Sequence, residues 1–296
     1  MEINDDLVAG FAKIERVEIN EEEIADFDSE GDFVGLSVEL LIEAGSYLVA
    51  AASVYPSGIE GWTRNQAVIG GSIVRLYKLV DAILDQTCKH RLETAFILSR
   101  LHFETTVNCI YLMQNPAHEK FDCFVAYALQ HEDKLLCTIE ANIEERNGET
   151  LPIEERMVGS IGRMLRLSQI DRTELPAKRM RDWDNSNLFE RTKAIGLERA
   201  YNPVFSGASQ IVHGSWGDLY QHHLEAKGDR FVAKISFKEP RPQFLEVIAI
   251  LSAKIVREFI DFLGLYLERK ALKGLFDEFE GRVRRVSKLH EEFLSK

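Results

Sequence analysis

The chain has 296 residues, of which 45% are hydrophobic and 28% charged, and its formal net charge is -12. That is ample for a large core, in one big domain or two closely packed ones; nothing in it shows the basic stripe of a dedicated duplex binder, while a net charge of this sign does not forbid a local basic pocket for nucleic acid. The four cysteines, Cys88, Cys109, Cys123 and Cys137, contain no C-x-x-C pair and read as reduced core residues of a cytosolic protein.

The charge is unevenly spread. Residues 1–32 hold twelve acids against Lys13 and Arg16, a balance of -10, which leaves the rest of the chain near -2. A solvated, partly disordered arm is the plain expectation; the sharper one is an arm that covers a basic surface on this chain or on a partner. The stretch MEINDDLVAG has neither a basic nor an apolar leader region, so no secretory signal is expected. From residue 34 the apolar spacing is helical. VGLSVELLIEAGSYLVAAASVY has a broad apolar face, and Thr63 is a good N-cap for a helix through about residue 87. Residues 91–115 are apolar on most sides and read as a central, buried helix stopped by Pro116. A long amphipathic helix follows to Asn147-Gly148, and Pro152 opens another to about 170.

A polar connector spans 172–187, with two shorter helices at roughly 187–197 and 199–213. RFVAKISF (230–237) is the only strand-like stretch. A helix is expected from Phe244 to about Leu272, with a charged helix closing the chain. The segment FLEVIAILSAKIVREFIDFLGLYL carries Glu246, Lys254, Arg257, Glu258 and Asp261, too many charges for a lipid-facing span. The fold expected is all-α, a single multi-helix bundle with at most one short hairpin near 230–237. The chain divides into an acidic arm (1–32), a bundle (33–272) and a charged C-terminal helix (273–296).

Two constellations carry chemistry. Arg100, Glu104 and Asn108 recur every four residues, so they share one face of the most apolar long helix. Such a stripe is either a buried ion pair that sets registry, or an anion site in which Arg100 binds phosphate and Glu104 orients it. His102 points elsewhere. Ser209 and His213 are likewise four apart, with Tyr201 and Phe205 continuing the face upstream. Here the alternatives are a serine bonded back to its own helix, or His213 as a general acid/base. No G-x-S-x-G elbow marks a serine hydrolase. In WDNSNLFER, Asn185 or Ser186 looks like an N-cap, and Trp183 is a packing anchor or a surface on which a base stacks. Arg64, Arg91 and Arg191 are candidate additional cations. His222 and His223 are adjacent and diverge on a helix, so they form no metal pair; the IGGS at 69–72 lacks the lysine of a phosphate-binding loop. No metal and no cofactor are expected.

The Arg-x-x-x-Glu helix, Trp183, Gly196 and the run Tyr201, Phe205, Ser209, His213, Gly214 occur in an order that resembles a bacterial helical family known only as a domain of unknown function. The resemblance covers roughly residues 60–265. A looser similarity is to HEPN-type helical domains, many of them ribonucleases of toxin and antiviral systems, whose signature is an Arg four to six residues before a His. Gly207, Ala208 and Ser209 hold those positions before His213, so Arg100 would have to supply the cation from another helix. The similarity implies a metal-independent, ribonuclease-like effector in phage defence or a toxin system. His213, Arg100, Glu104 and Ser209 would be its catalytic set, and Trp183, Arg191, Tyr201 and Asn108 would bind. The alternative is a non-enzymatic sensor or assembly subunit in which the same residues form a buried network. A small-molecule site in the bundle core is a third reading. The expected partners are RNA, a protein of the same system and a second copy of the chain, with no membrane and a cytoplasmic location.

Overall fold

Apolar residues at helical spacing must find a common core, and here they do so through four long helices in a closed ring. The computed structural model describes residues 5–55, 61–176 and 178–296. α3 (Glu30–Ala52) packs on α4 (Arg64–Cys88), α4 on α5 (Leu92–Gln114), α5 on α12 (Pro242–Phe262), and α12 back on α3. Leu40, Ile73, Val107, Ile110, Ile248 and Phe259 are fully buried between them. The long C-terminal helix α13 (Tyr266–Leu294) lies against α12 and α3. α6 (His118–Glu145) and α7 (Pro152–Ser168) extend outward with a small cluster of their own, Leu136, Ile139 and Ile161.

Elaborations follow on one side. They are the short α8 (Leu188–Ala194) and α9 (Glu198–Ala200), a π-helical turn Tyr201–Ser206, α10 (Gly207–Val212), α11 (Trp216–Asp218) and a second π-helical turn Leu219–His223. A hairpin ends the series: β1 (Leu224–Lys227) pairs antiparallel with β2 (Arg230–Ala233), Leu224 opposite Ala233 and Lys227 opposite Arg230. The strand-like run is therefore half as long as its sequence suggests. All-α architecture with one short hairpin holds.

Five expectations change. The acidic arm is ordered: α1 (Asp5–Ala12) and α2 (Glu21–Ala25) lay Phe11 and Ile24 into the main core. Its charge meets α13, where Arg285 donates to Glu21 at 2.7 Å and Arg16 to Glu278 at 2.9 Å. The helix expected over 244–272 breaks at Gly264, with φ 79°. The Leu265 amide donates to the Ile260 carbonyl and the Gly264 amide to Asp261, the two bonds of a Schellman cap. Residue 272 lies within α13, so the division drawn there crosses a continuous helix. Of the cysteines only Cys109 is in the core; Cys88 and Cys137 are exposed. The N-cap of α8 is Asn187, rather than Asn185 or Ser186: its side chain accepts from the Glu190 amide at 3.1 Å, and Glu190 returns the bond to the Asn187 amide at 2.8 Å.

The most apolar helix by composition is α3, long and apolar enough to cross a membrane, with half of its apolar window buried in the bundle. It is held there by a charge. Arg282 of α13 makes a double hydrogen bond to Glu43, which also accepts from the Tyr47 hydroxyl at 2.5 Å and the Val17 amide at 2.9 Å. In the IGGS of α4, Gly70 is a packing glycine, because a Cβ there would stand 2.6 Å from the Trp62 ring.

Candidate functional site

The stripe on α5 does face the 201–213 segment, but its members find other partners. The Arg100 guanidinium stacks on the Phe205 ring at 4.4 Å, and no ion pair joins it to Glu104 among the described residues. Arg191 is buried, stacks on Trp183 at 4.7 Å and donates to the Ser186 carbonyl at 2.8 Å. Burial pulls its guanidinium below the ordinary arginine range, against the charges of Asp182, Glu104 and Asp184. Tyr111 packs its ring on Trp183 and donates its hydroxyl to Asp184 at 2.7 Å, and Lys120 pairs with the same carboxylate. The Nε of Arg100, Oδ1 of Asn108, Nε1 of Trp183, Oγ of Ser186 and Nε of Arg191 are all buried without a hydrogen-bond partner among the described residues. Tyr201 joins through rings, 5.0 Å from Phe189 and 5.1 Å from Phe205.

Ser209 and His213 stand apart from one another chemically. The Ser209 hydroxyl donates to the Phe205 carbonyl at 2.9 Å, one turn back along its own helix. His213 is exposed and is the C-cap of α10. Gly214 has φ 57°, its amide donates to Ile211 and the Ser215 amide to Gln210, so His-Gly completes a second Schellman cap. Pro203, which lacks an amide hydrogen, lies in the π-helical turn that precedes this helix. Of the other candidate cations, Arg64 pairs with Asp122 at 2.5 Å and Arg91 stacks on Phe237 at 5.2 Å. His102 is buried on the opposite side and bonded to Ser252 at 3.0 Å.

A cavity lies beside these residues. It has a volume of about 920 Å³ and opens between the starts of α3, α5 and α12 on one side and α10, α11 and the second π-helical turn on the other. Phe96, Val204, Ile211, Phe244 and Val247 give it an apolar wall. Its polar groups include His222, Asp218, Lys238, Arg241 and the amides of Gln210 and Gln243. His222 is 6% exposed. Its Nδ1 lies 3.2 Å from Oε1 of Glu93, close to the carboxylate without the alignment of a hydrogen bond. Burial lowers the pKa of the imidazole, and Glu93 pulls the other way. His223 does diverge from it, exposed and 3.5 Å from the Asp218 carboxylate. Glu93 and His222 are far apart in sequence and belong to no spacing motif, so only the fold could join them. A signature-spaced pair also occurs in α13, Arg285 and His290. There His290 is fully buried, 3.2 Å from Glu30, and Arg285 is held by Glu21.

These features define a helical-bundle domain with a lateral, mostly apolar cavity and a buried histidine in its wall. The chain belongs to DUF5677, a family of unknown function, whose model matches residues 66–231. The match includes the α5 stripe, Glu93, His213 and His222; the α3 and α12 sides of the cavity lie outside it. No curated protein and no solved structure matches the chain.

Proposed function

We propose that the chain is a non-enzymatic sensor module that binds a small organic molecule in the lateral cavity. One observation carries this reading: about 920 Å³ of space with an apolar wall and a few convergent polar groups, the dimensions and lining of small-molecule sites. The Arg100, Glu104 and Arg191 stripe then serves as the scaffold behind the cavity, since Phe205 and Val204 of the same turn face the two sides. The test is a thermal-shift screen of small organic molecules on the wild type and on Val247→Trp, which replaces part of the apolar wall with a bulkier ring. Compounds that raise the melting temperature only of the wild type support the reading. A screen in which the two folded proteins respond alike overturns it.

A second reading is metal-independent RNA cleavage by an effector of a defence or toxin system. Its support is His222, which lines the cavity, whose Nδ1 lies beside Glu93 and whose Nε2 has no partner among the described residues, an arrangement suited to a general acid/base. Among the described residues no contact joins Arg100 to His213. The measurement is cleavage of RNA in EDTA by the wild type, His213→Ala and His222→Ala, each shown folded. Activity lost only in His222→Ala favours this reading over the sensor; an inactive wild type removes it.

A further inference from the structure

We infer that the cavity takes an amphipathic organic acid, with its apolar body against Phe96, Phe244 and Val247 and its anionic head at the start of α12. The inference rests on the ligand-binding reading above and adds the charge of the ligand.

Three acids line the cavity, Glu30, Asp218 and Glu239, and each has a histidine beside one of its oxygens. Glu30 lies 3.2 Å from His290, and Glu239 lies 3.8 Å from His90 on the exposed rim. Asp218 turns Oδ2 toward His223 at 3.5 Å, and its Oδ1 is sealed from solvent, as is Oε2 of Glu93. A molecule in the cavity therefore meets no acid without a histidine neighbour.

The donors are free. Lys238 and Arg241 line the cavity, and neither has an ion-pair partner among the described residues. Between them and the apolar wall lies the first turn of α12. Arg241 is the N-cap residue and provides no side-chain cap, and Pro242 follows it. Gln243 and Phe244, whose amides stand at the positive end of this 21-residue helix, both line the cavity. The start of α3 differs: Ser29 and Asp32 already cap it. His222 supplies the independent observation. It is 6% exposed and lines the cavity, its Nδ1 is occluded against Glu93, and its Nε2 has no partner among the described residues. A carboxylate meeting Arg241, Lys238, the α12 amides and His222 Nε2 would gain charge-assisted bonds in a wall of low polarity.

The probes are 4-phenylbutyrate and 4-phenylbutylamine, which share one body and differ in the sign of the head. Each is titrated by NMR into the full chain, the Lys238→Ala/Arg241→Ala double variant and Val247→Trp. Arg241 is exposed and Lys238 half-buried, so the double variant keeps the core. The acid is expected to bind the wild type at least tenfold more tightly than the amine. It should lose about that factor in the double variant and all binding in Val247→Trp. Equal or tighter binding of the amine, or an acid affinity unchanged by the double variant, overturns the head-group assignment while the cavity reading stands. Binding of neither probe to the wild type overturns the inference and counts against the cavity reading as well.

Discussion

The guanidinium of Arg100 rests 4.4 Å from the centre of the Phe205 ring, and the hydroxyl of Ser209 donates to the carbonyl of that same phenylalanine at 2.9 Å. Phe205 is thus the shared partner of two residues that sequence spacing would have paired with Glu104 and His213. Arg100→Ala is expected to cost about 1 kcal/mol, read by urea unfolding. In a double-mutant cycle, Arg100→Ala and Phe205→Leu should couple, whereas Arg100→Ala and His213→Ala should add. Coupling of the second pair would restore a shared Arg–His site.

The His-Gly dipeptide is predicted to act through the backbone. His213→Ala should change stability by less than about 0.5 kcal/mol, since its ring is exposed. Gly214→Ala should cost about 1 kcal/mol, because φ 57° places a Cβ in the left-handed region. The reverse order in thermal melts would show that the histidine side chain, not the glycine, is what holds this turn.

Arg282 and Glu43 tie the arm, α3 and α13 together. Arg282→Met leaves Glu43, which is 2% exposed, without its cation and should cost about 3 kcal/mol. Adding Glu43→Gln should recover part of the loss. Burial alone would raise the Glu43 pKa, but bonds from Arg282, Tyr47 and the Val17 amide hold it below the usual carboxylate value. The folded pKa is depressed, so this contribution is present above about pH 4.5 and fades as pH falls further. Urea titrations at pH 7 and pH 4 should show a smaller penalty for Arg282→Met at the lower pH.

His102 should impose a second pH dependence. Burial lowers its pKa from 6.5 to about 3. The unfolded chain binds this proton first, so stability falls as pH drops below about 6.5, by up to about 1.4 kcal/mol per unit down to the folded value. The paired replacement His102→Leu/Ser252→Ala should flatten the unfolding free energy between pH 6 and pH 5. An unchanged slope there would mean that another group carries it.

Much of the architecture was legible because helical periodicity and stop signals are local. The apolar spacing of 34–52, 64–88 and 92–114 needs only nearest-turn geometry, and Pro116 and Gly148 act through their own backbones. Membership of the helical family was likewise carried by the order of local motifs. The reading of the arm as disordered failed because acidic composition says nothing of where Phe11 and Ile24 will lodge, whereas the reading of it as cover for a basic surface agrees with its contacts to Arg282 and Arg285. The break at Gly264 was missed because the apolar pattern runs on through it, and the left-handed glycine reverses the chain regardless.

The sequence by itself determined the long helices and which residues share a face, since these depend on spacing along one backbone. Only the tertiary structure decided the partners across faces. Arg100 takes Phe205 instead of Glu104, the acids of the arm meet the arginines of α13, and Glu93 approaches His222, which lines a cavity shared by segments as distant as Ser29 and Val247. Long-range pairs of this kind are set by how rigid helices pack, and side-chain contacts between distant segments leave no periodic trace in the order of residues.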